Sequence, residues 1–543
     1  MSAGKKKLNR EEVLRPWNKT SAILCAGTVV QSLAAVAVAL VSRRLLNSAM
    51  GGGAVLRWGA VLAVLAVGAP LLSGVLSRLS GAAEDASSAL LRTHTLELLR
   101  KKNLEKLKGY HSGQLYSRVT SDVGTVCLWK TSVLPGMLSQ AVRLIAATAA
   151  LCWIDPVLTL CALCCAAVVA AGSVVYRRLL RPRHQAARMA QEQLTVTLQE
   201  ELSHGEFIRG VRAEEQMSRR LEESQGNWLR RRKSLRDVSI LGGTGFSAMT
   251  QLVFVAVMVW GGVSIRSGRL TYGDLTALLQ LAAMFQGPVS GLGGLQSRLA
   301  ELSAARERLE ELWDLPEEGE GTPLPEGASV RAIVFEHVSF AYEGEETAVL
   351  EDFSLRLPTD RWMCLRGISG SGKSTLYRLI LGLYRPQQGR VYLETDMGNF
   401  DCCAATRSFF GFVPQTAVLL AGTVRENLHL VRSGAEDETL TAALWEAQCG
   451  FLWEEGGKGL DTRLSEDGGL SAGQRQRVSI AMALLSGGSM LLLDEITSAL
   501  DTVTERALLK ALTKSHPAAI FATHHAGLPD LLGAEVIDLD RNP

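Results

Sequence analysis

Net charge is almost absent from this sequence: 57 Lys and Arg stand against 55 Asp and Glu over 543 residues, a formal +2. So balanced a chain gives no case for nucleic-acid binding, which needs a basic surface. Charged residues of either sign are also scarce, at 21%, and mean hydropathy is slightly positive. That argues against a wholly soluble enzyme and places part of the chain in lipid. Metal-ligand spacing is missing among the ten cysteines. Cys25, Cys152, Cys161, Cys164 and Cys165 lie inside apolar stretches, where a thiol packs as a small hydrophobe. Cys364, Cys402, Cys403 and Cys449 fall in a soluble region, and all are expected to be reduced and structural. No cleavable signal peptide is expected either. Lys5 to Lys19 is basic and polar, and the first apolar run is long enough to stay in a membrane.

What is present, first, is apolar length. A membrane-spanning helix needs about 20 mostly apolar residues. Six stretches qualify: Ser21–Val41, Ala54–Leu76, Thr131–Trp153, Pro156–Val175, Ile240–Val263 and Leu275–Leu295. Short connections alternate with two long polar blocks, Ser77–Lys130 and Tyr176–Ser239. With the N-terminus inside, both blocks are cytoplasmic and carry most of the Lys and Arg, as at Arg230-Arg231-Arg232-Lys233. Arg43, Arg44, Arg57, Arg266 and Arg269 run against that bias. Glu84–Leu107 and Arg188–Leu235 combine charge with helically spaced apolar residues and no Pro, so the spacing predicts helices that continue beyond the membrane. Their breaks fall at Gly109–Gly113 and at His204-Gly205. Pro316–Pro325 has linker composition, and short β-rich runs alternate with helices after it. The expected organisation is a cytoplasmic segment at 1–19, an all-α six-helix membrane domain at 20–313 with long intracellular helices, a linker at 314–329, and a soluble α/β domain at 330–543.

The soluble domain carries the chemistry. Gly367-Ile368-Ser369-Gly370-Ser371-Gly372-Lys373-Ser374-Thr375 fits the phosphate-loop pattern between a strand-like run, Trp362–Arg366, and a helix-like one, Leu376–Leu383. Its glycines let backbone N–H groups turn toward phosphate, and the following helix N-terminus favours an anion. Lys373 supplies charge for the outer phosphates, and Ser374 or Thr375 a hydroxyl for Mg2+. Met490–Glu495 reads as a buried parallel strand ending in two acids at its carboxyl end, where ligands of open α/β sheets bind. Asp494 is expected to hold Mg2+, and Glu495 to orient or deprotonate an attacking water. Leu470-Ser471-Ala472-Gly473-Gln474 places a Ser and a Gly at a second helix N-terminus, a second anion site.

This last run resembles the signature of ATP-binding-cassette proteins, with Ala472 where the family has its middle glycine. Other family elements follow in order. Tyr342 resembles the aromatic that stacks on adenine, and Gln415 the glutamine that senses Mg2+. Ser498-Ala499-Leu500-Asp501 is similar to the D-loop, and His524 to the switch histidine near the γ-phosphate. Met482 stands where the family more often has Arg. In the membrane half, Gly113–Asp122, Glu200–Arg212 and Gly268–Asp274 resemble loop segments of exporter-type transporters.

The resemblance implies an exporter-type half-transporter that binds and hydrolyses MgATP. In this family the phosphate loop of one domain faces the signature of another. A second half-transporter, identical or related, is therefore expected as partner. The implied activity is ATP-driven export of amphipathic cargo (a drug, lipid or modified peptide) across the plasma membrane. The alternatives are an importer built on the exporter fold and a regulatory membrane ATPase without transport. The given stretch ahead of the first apolar run is too short for a cysteine peptidase domain, so a peptidase-containing exporter is not expected, and a trimmed peptide stays open as cargo. Arg143, about 18 Å of helix from Asp155 at 1.5 Å per residue, is a candidate contact for an anionic group of the cargo, the alternative being a structural bond to a neighbouring carbonyl or to Gln140 or Gln251.

Overall fold

The computed structural model describes residues 19–345, 347–368, 370–454, 457–464, 469–496, 500–523 and 527–540. They fall into two bodies. One comprises 19–97 with Gly113–Trp313, and the other Leu98–Ser112 with 314–540.

The first body is helical: α1 Lys19–Met50, α2 Val55–Leu99, α4 Ser112–Ile154, α5 Pro156–Ser203, α6 Gly205–Gly210, α7 Glu214–Arg266, α8 Tyr272–Ala283 and α9 Gln286–Trp313. A short α3, Leu104–Lys108, belongs to the second body. Among the described residues α1, α2, α4 and α7 are long and apolar enough to cross a membrane. The two other expected spans fall on α5, which continues without a break to Ser203, and on α8 with α9. The run Leu275–Leu295 is thus two helices rather than one, interrupted at Met284-Phe285. Helix starts follow local chemistry. Asp155 caps α5 by accepting from Val157 N and Leu158 N at 3.0 and 3.1 Å, with Pro156 at the first helical position. Thr271 and Asp274 form a capping box at α8.

Small and hydroxylated residues set the packing. Ser32 on α1 bonds the Ser139 hydroxyl of α4 at 2.7 Å, and a side chain at Gly27 or Gly261 would strike Leu76 or Leu275. Val36, Ala39, Ala147, Leu151, Val257, Leu278 and Leu281 close the core where α1, α4, α7 and α8 meet. Leu56, Val64, Leu71, Leu241 and Leu252 point outward, largely exposed. Such an inverted surface suits lipid rather than water.

The second body is α/β. A parallel sheet runs in the order β11-β3-β10-β9-β6, from Glu535–Asp538, Trp362–Arg366, Ala519–Ala522, Met490–Asp494 and Phe410–Val413. Every residue of β9 and β10 is buried, which is why those strands read as unbroken apolar runs. An antiparallel sheet in the order β2-β1-β4-β5 packs beside it, from Leu350–Pro358, Val330–Phe340, Gln388–Thr395 and Gly398–Asp401. The hairpin of β7 (Gly422–Thr423) and β8 (Arg463–Leu464) accompanies the helices α10 Lys373–Ile380, α11 Val424–Val431, α12 Asp437–Glu446, α13 Ala472–Leu485, α14 Thr502–Ser515 and α15 Leu528–Leu532.

Leu98–Ser112 is stitched to this body. Asn103 N donates to Pro316 O at 2.9 Å, and Glu318 N to Lys101 O at 2.7 Å. Pro316–Glu318, linker-like in composition, is therefore half of a short antiparallel bridge.

Candidate functional site

The site forms at the carboxyl ends of β3 and β9. Gly370 and Gly372 take φ of +91° and +87°, a left-handed turn that glycine adopts without strain. This turn delivers the chain into α10 with Gly372 as its N-cap and no side chain over the first turn. The first amides of α10 stay open to an anion, in the favourable field of the helix N-terminus. Lys373 is buried and curls back, Nζ donating to Gly367 O at 2.7 Å and Ile368 O at 3.0 Å. Ser371 Oγ is buried without a hydrogen-bond partner. The loop is thus a cradle of donors. Ser369 lies outside the described residues.

The two hydroxyls after Lys373 are put to different uses. Ser374 Oγ donates to Asp494 Oδ2 at 2.9 Å, whereas Thr375 Oγ1 is 2.9 Å from the Tyr342 hydroxyl. Of the two, Ser374 faces the acid. Asp494 Oδ1 is buried and unpaired. A hard divalent cation accepts such a carboxylate and hydroxyl together, so the residues present fit Mg2+. Burial first, and then the neighbouring Glu495, push the Asp494 carboxyl above the ordinary carboxylate range, while Ser374 pulls it back.

Glu495, just past β9, has φ +49°, a conformation that costs a non-glycine residue on the order of 1–3 kcal/mol. Its Oε2 accepts from Gln415 Nε2 at 2.7 Å. Gln415 follows Pro414, whose carbonyl accepts from Gln476 Nε2 at 3.2 Å, linking it to α13. Ser374, Asp494, Glu495 and Gln415 thus come together as one cluster.

Tyr342 is half-buried, edge-on to Phe340 and Tyr384, and its hydroxyl also accepts from Arg378 Nη1. Glu343 beside it accepts from Lys106 Nζ at 2.5 Å, and Lys108 sits over the Tyr384 ring. The segment Leu98–Ser112 therefore ends against the aromatic corner of the site.

Ser471 caps α13 in a capping box with Gln474: Ser471 Oγ accepts from Gln474 N at 3.2 Å, and Gln474 Oε1 from Ser471 N at 2.8 Å. Ser471 and Ala472 are exposed and Gly473 is buried. Among the described residues, no hydrogen bond joins them to the phosphate loop. Asp501 is the N-cap of α14, accepting from Val503 N and Thr504 N, and those hydrogen bonds lower its pKa. His524 lies outside the described residues, as do Ser498 and Ala499.

Two side chains near the site escape sequence reasoning, and a third was within its reach. Asp540 accepts from Ile368 N at 3.1 Å across a separation of 172 residues, so nothing local marks it. Tyr377 is fully buried under the loop and donates to Leu493 O at 3.1 Å. Arg378, five residues after Lys373 on α10, was open to inference from helical spacing.

Comparison with known proteins finds two family models that match the chain. Residues 350–498 match the family model described as ABC transporter, and residues 22–289 the ABC transporter transmembrane region. The chain is 30% identical over 409 residues to the ATP-dependent lipid A-core flippase of Albidiferax ferrireducens, covering 74% of this chain and 70% of the relative. It is 28% identical over 462 residues to a fatty acid ABC transporter ATP-binding/permease protein of Mycobacterium bovis, covering 84% and 73%. It is 27% identical over 362 residues to the lactococcin-A transport/processing ATP-binding protein of Lactococcus lactis. That match covers 66% of this chain and only 50% of the relative, so the chain spans about half the length of that protein.

Proposed function

The chain belongs to the ABC transporter family, and from that premise we propose that it is one half of an ATP-driven exporter of amphipathic cargo, working as a dimer. It is a multi-pass membrane protein with its nucleotide-binding half in the cytoplasm. The observation that carries the reading is the cluster Ser374–Asp494–Glu495–Gln415, assembled at the phosphate loop of a chain that also has, among the described residues, four helices fit to cross a bilayer.

In this reading Tyr342 stacks on adenine, and the amides of Gly367–Thr375, Ser369 among them, surround the phosphates. Lys373 exchanges its two carbonyl partners for the outer phosphates. Mg2+ held by Ser374 and Asp494, with Gln415 nearby, supplies charge neutralisation at the phosphate oxygens. Glu495 positions and deprotonates the attacking water, oriented by Gln415. His524 faces the γ-phosphate.

Ser471, Gly473 and Gln474 of a second half-transporter, identical or related, close over each ATP, with Asp501 at the dimer contact. The exposed helix N-terminus at Ser471 and Ala472 supports this, because its capping box leaves the amides of the first turn at 472 and 473 for an anion, and an anion site without its own phosphate loop needs one brought from elsewhere. Closure around ATP then draws on the segment Leu98–Ser112, which joins α2 to α4 and rests on the nucleotide body. Hydrolysis releases it.

For the cargo, relatives named for lipid A-core, fatty acid and lactococcin share amphipathicity, and that property is proposed here. The test is the full chain in proteoliposomes with a panel of fluorescent fatty acids, lipids and amphipathic dyes. ATP-dependent movement away from the nucleotide side is expected for at least one. Movement toward it would make the chain an importer, and ATP turnover with no movement of any probe would make it a regulatory ATPase.

A further inference from the structure

The five arginines that run against the charge bias of the membrane half gather at one end of the first body. With the N-terminus inside, α1 ends on the outer side of the membrane. Arg43, near the end of α1, is ion-paired with Asp274 in the first turn of α8. Trp260, near the end of α7, donates to Asp155 at the start of α5 at 2.9 Å. The turns carrying Arg44, Arg57, Arg266 and Arg269 therefore share the outer face. Asp155 and Asp274 are the acids of these turns, and both are engaged.

Under this face lies a cavity of about 580 Å³ lined by Leu40, Arg43, Arg44, Asn47, Trp58 and Trp153. Its construction is specific. The Arg43 guanidinium lies 5.0 Å from the Trp153 ring centroid, and Arg44 5.0 Å from that of Trp58. Arg43 is neutralised by Asp274, whereas Arg44 has no carboxylate partner among the described residues. A guanidinium stacked on an indole face keeps its in-plane N–H edge free, and that fork matches two phosphate oxygens. Apolar wall, aromatic girdle and one uncompensated arginine at a membrane–water boundary are complementary to an anionic amphiphile. The volume holds a headgroup and the start of its chains.

We propose that this cavity binds the phosphate of an anionic phospholipid from the outer leaflet, with Arg44 as the principal contact and Trp58 holding it in place. The site is separate from the nucleotide cluster and independent of what the protein carries.

The test is native mass spectrometry of the full-length protein in mixed micelles of phosphatidylglycerol and phosphatidylcholine. The wild type is expected to retain the anionic lipid in preference, and Arg44→Gln to lose about ten-fold of that preference. An unchanged thermal midpoint and ATP turnover verify that the variant is folded. Trp58→Leu, which keeps the charge but removes the stack, is expected to lose most of the preference and stands in should Arg44→Gln fail to fold. Equal retention by wild type and variants overturns the proposal. Full preference in Arg44→Lys also overturns it, because diffuse surface charge then suffices. Soluble glycerol phosphate should displace the lipid far less well than a short-chain phosphatidylglycerol. Equal displacement would show that the phosphate alone is read, and the lipid assignment would fall.

Discussion

The Ser374 hydroxyl donates to one oxygen of Asp494 at 2.9 Å, and the other oxygen, Oδ1, is buried with no partner. An orphaned carboxylate oxygen in a buried site is costly, on the order of several kcal/mol, unless something charged completes it. The nucleotide site is therefore built to receive a positive charge. Lys373 is held back on the carbonyls of Gly367 and Ile368.

Asp494→Asn should act in opposite directions with and without nucleotide. The Asp494 pKa is raised, chiefly by burial and then by Glu495. A raised pKa means that the group's stabilising contribution is complete below the ordinary carboxylate range and is lost as pH rises through the folded value. At neutral pH the ionised carboxylate thus weakens the nucleotide-free domain. The variant should melt higher than wild type without ligand, with the gap narrowing in mild acid, and MgATP should no longer stabilise it. A thermal-shift series across pH measures both; a lower melting point for the nucleotide-free variant at neutral pH contradicts the assignment.

Glu495→Gln should retain ATP binding and lose roughly 10²–10⁴-fold in turnover, the range of a removed general base. Gln415 remains able to hydrogen-bond the new amide, so the cluster keeps its shape. Binding of a fluorescent ATP analogue and phosphate release, measured on the same preparation, separate the two. Phosphate release at the wild-type rate would remove Glu495 from the mechanism.

Much of this site was legible in the sequence because its signals are local. The glycines at 370 and 372 are needed for left-handed φ, and β9 is apolar because both its faces are covered. Ser471 and Gln474 sit at capping-box spacing. What escaped depends on pairs far apart in the chain. Nothing near Asp540 points to Ile368, and nothing in Pro316–Pro325 says that its first residues pair with Lys101 and Asn103. Composition alone also reads Leu275–Leu295 as one span, although the helix is interrupted at Met284-Phe285. The choice between Ser374 and Thr375 was likewise open until Tyr342 was seen to occupy Thr375.

The Lys106–Glu343 ion pair, beside Tyr342, should matter for coupling rather than for stability. Both side chains are about half-exposed, and solvent-screened pairs of this kind add little to folding. Lys106→Glu should leave the thermal midpoint and cargo-free ATP turnover near wild type but reduce cargo-stimulated turnover. Glu343→Lys should do the same, and the double exchange should restore it. Failure of the double exchange to rescue would show that the pair transmits nothing.

Ala472→Gly trades helix stability for access. Ala472 is exposed in the first turn of α13, and glycine there costs at most about 1 kcal/mol of helix propensity. Without the methyl, a phosphate brought by the partner can approach the amides of 472 and 473 more closely. ATP turnover of the dimer should rise a few-fold while the melting temperature falls slightly. Unaltered turnover with the lower melting temperature would mean that the methyl does not meet the nucleotide.

Arg143 tests the chemistry of the cargo. It lies in the membrane-crossing part of α4, half-buried, with Nε buried and without a hydrogen-bond partner. Neither Gln140 nor Gln251 is bonded to it among the described residues. A cation at that depth is costly unless a partner or a wet cavity faces it. An acidic group on the cargo would supply the partner. Arg143→Ala should then lower transport of an anionic amphiphile about ten-fold, the value of one charge-assisted hydrogen bond, while transport of a cationic amphiphile of similar size is unaffected or rises. ATP turnover without cargo should not move, because Arg143 is remote in sequence from the nucleotide cluster and on a different body. Arg143→Lys should recover part of the anionic transport through charge alone. Equal losses for both amphiphiles would make Arg143 a structural residue of the helix bundle, and no loss for either would leave it without a part in transport.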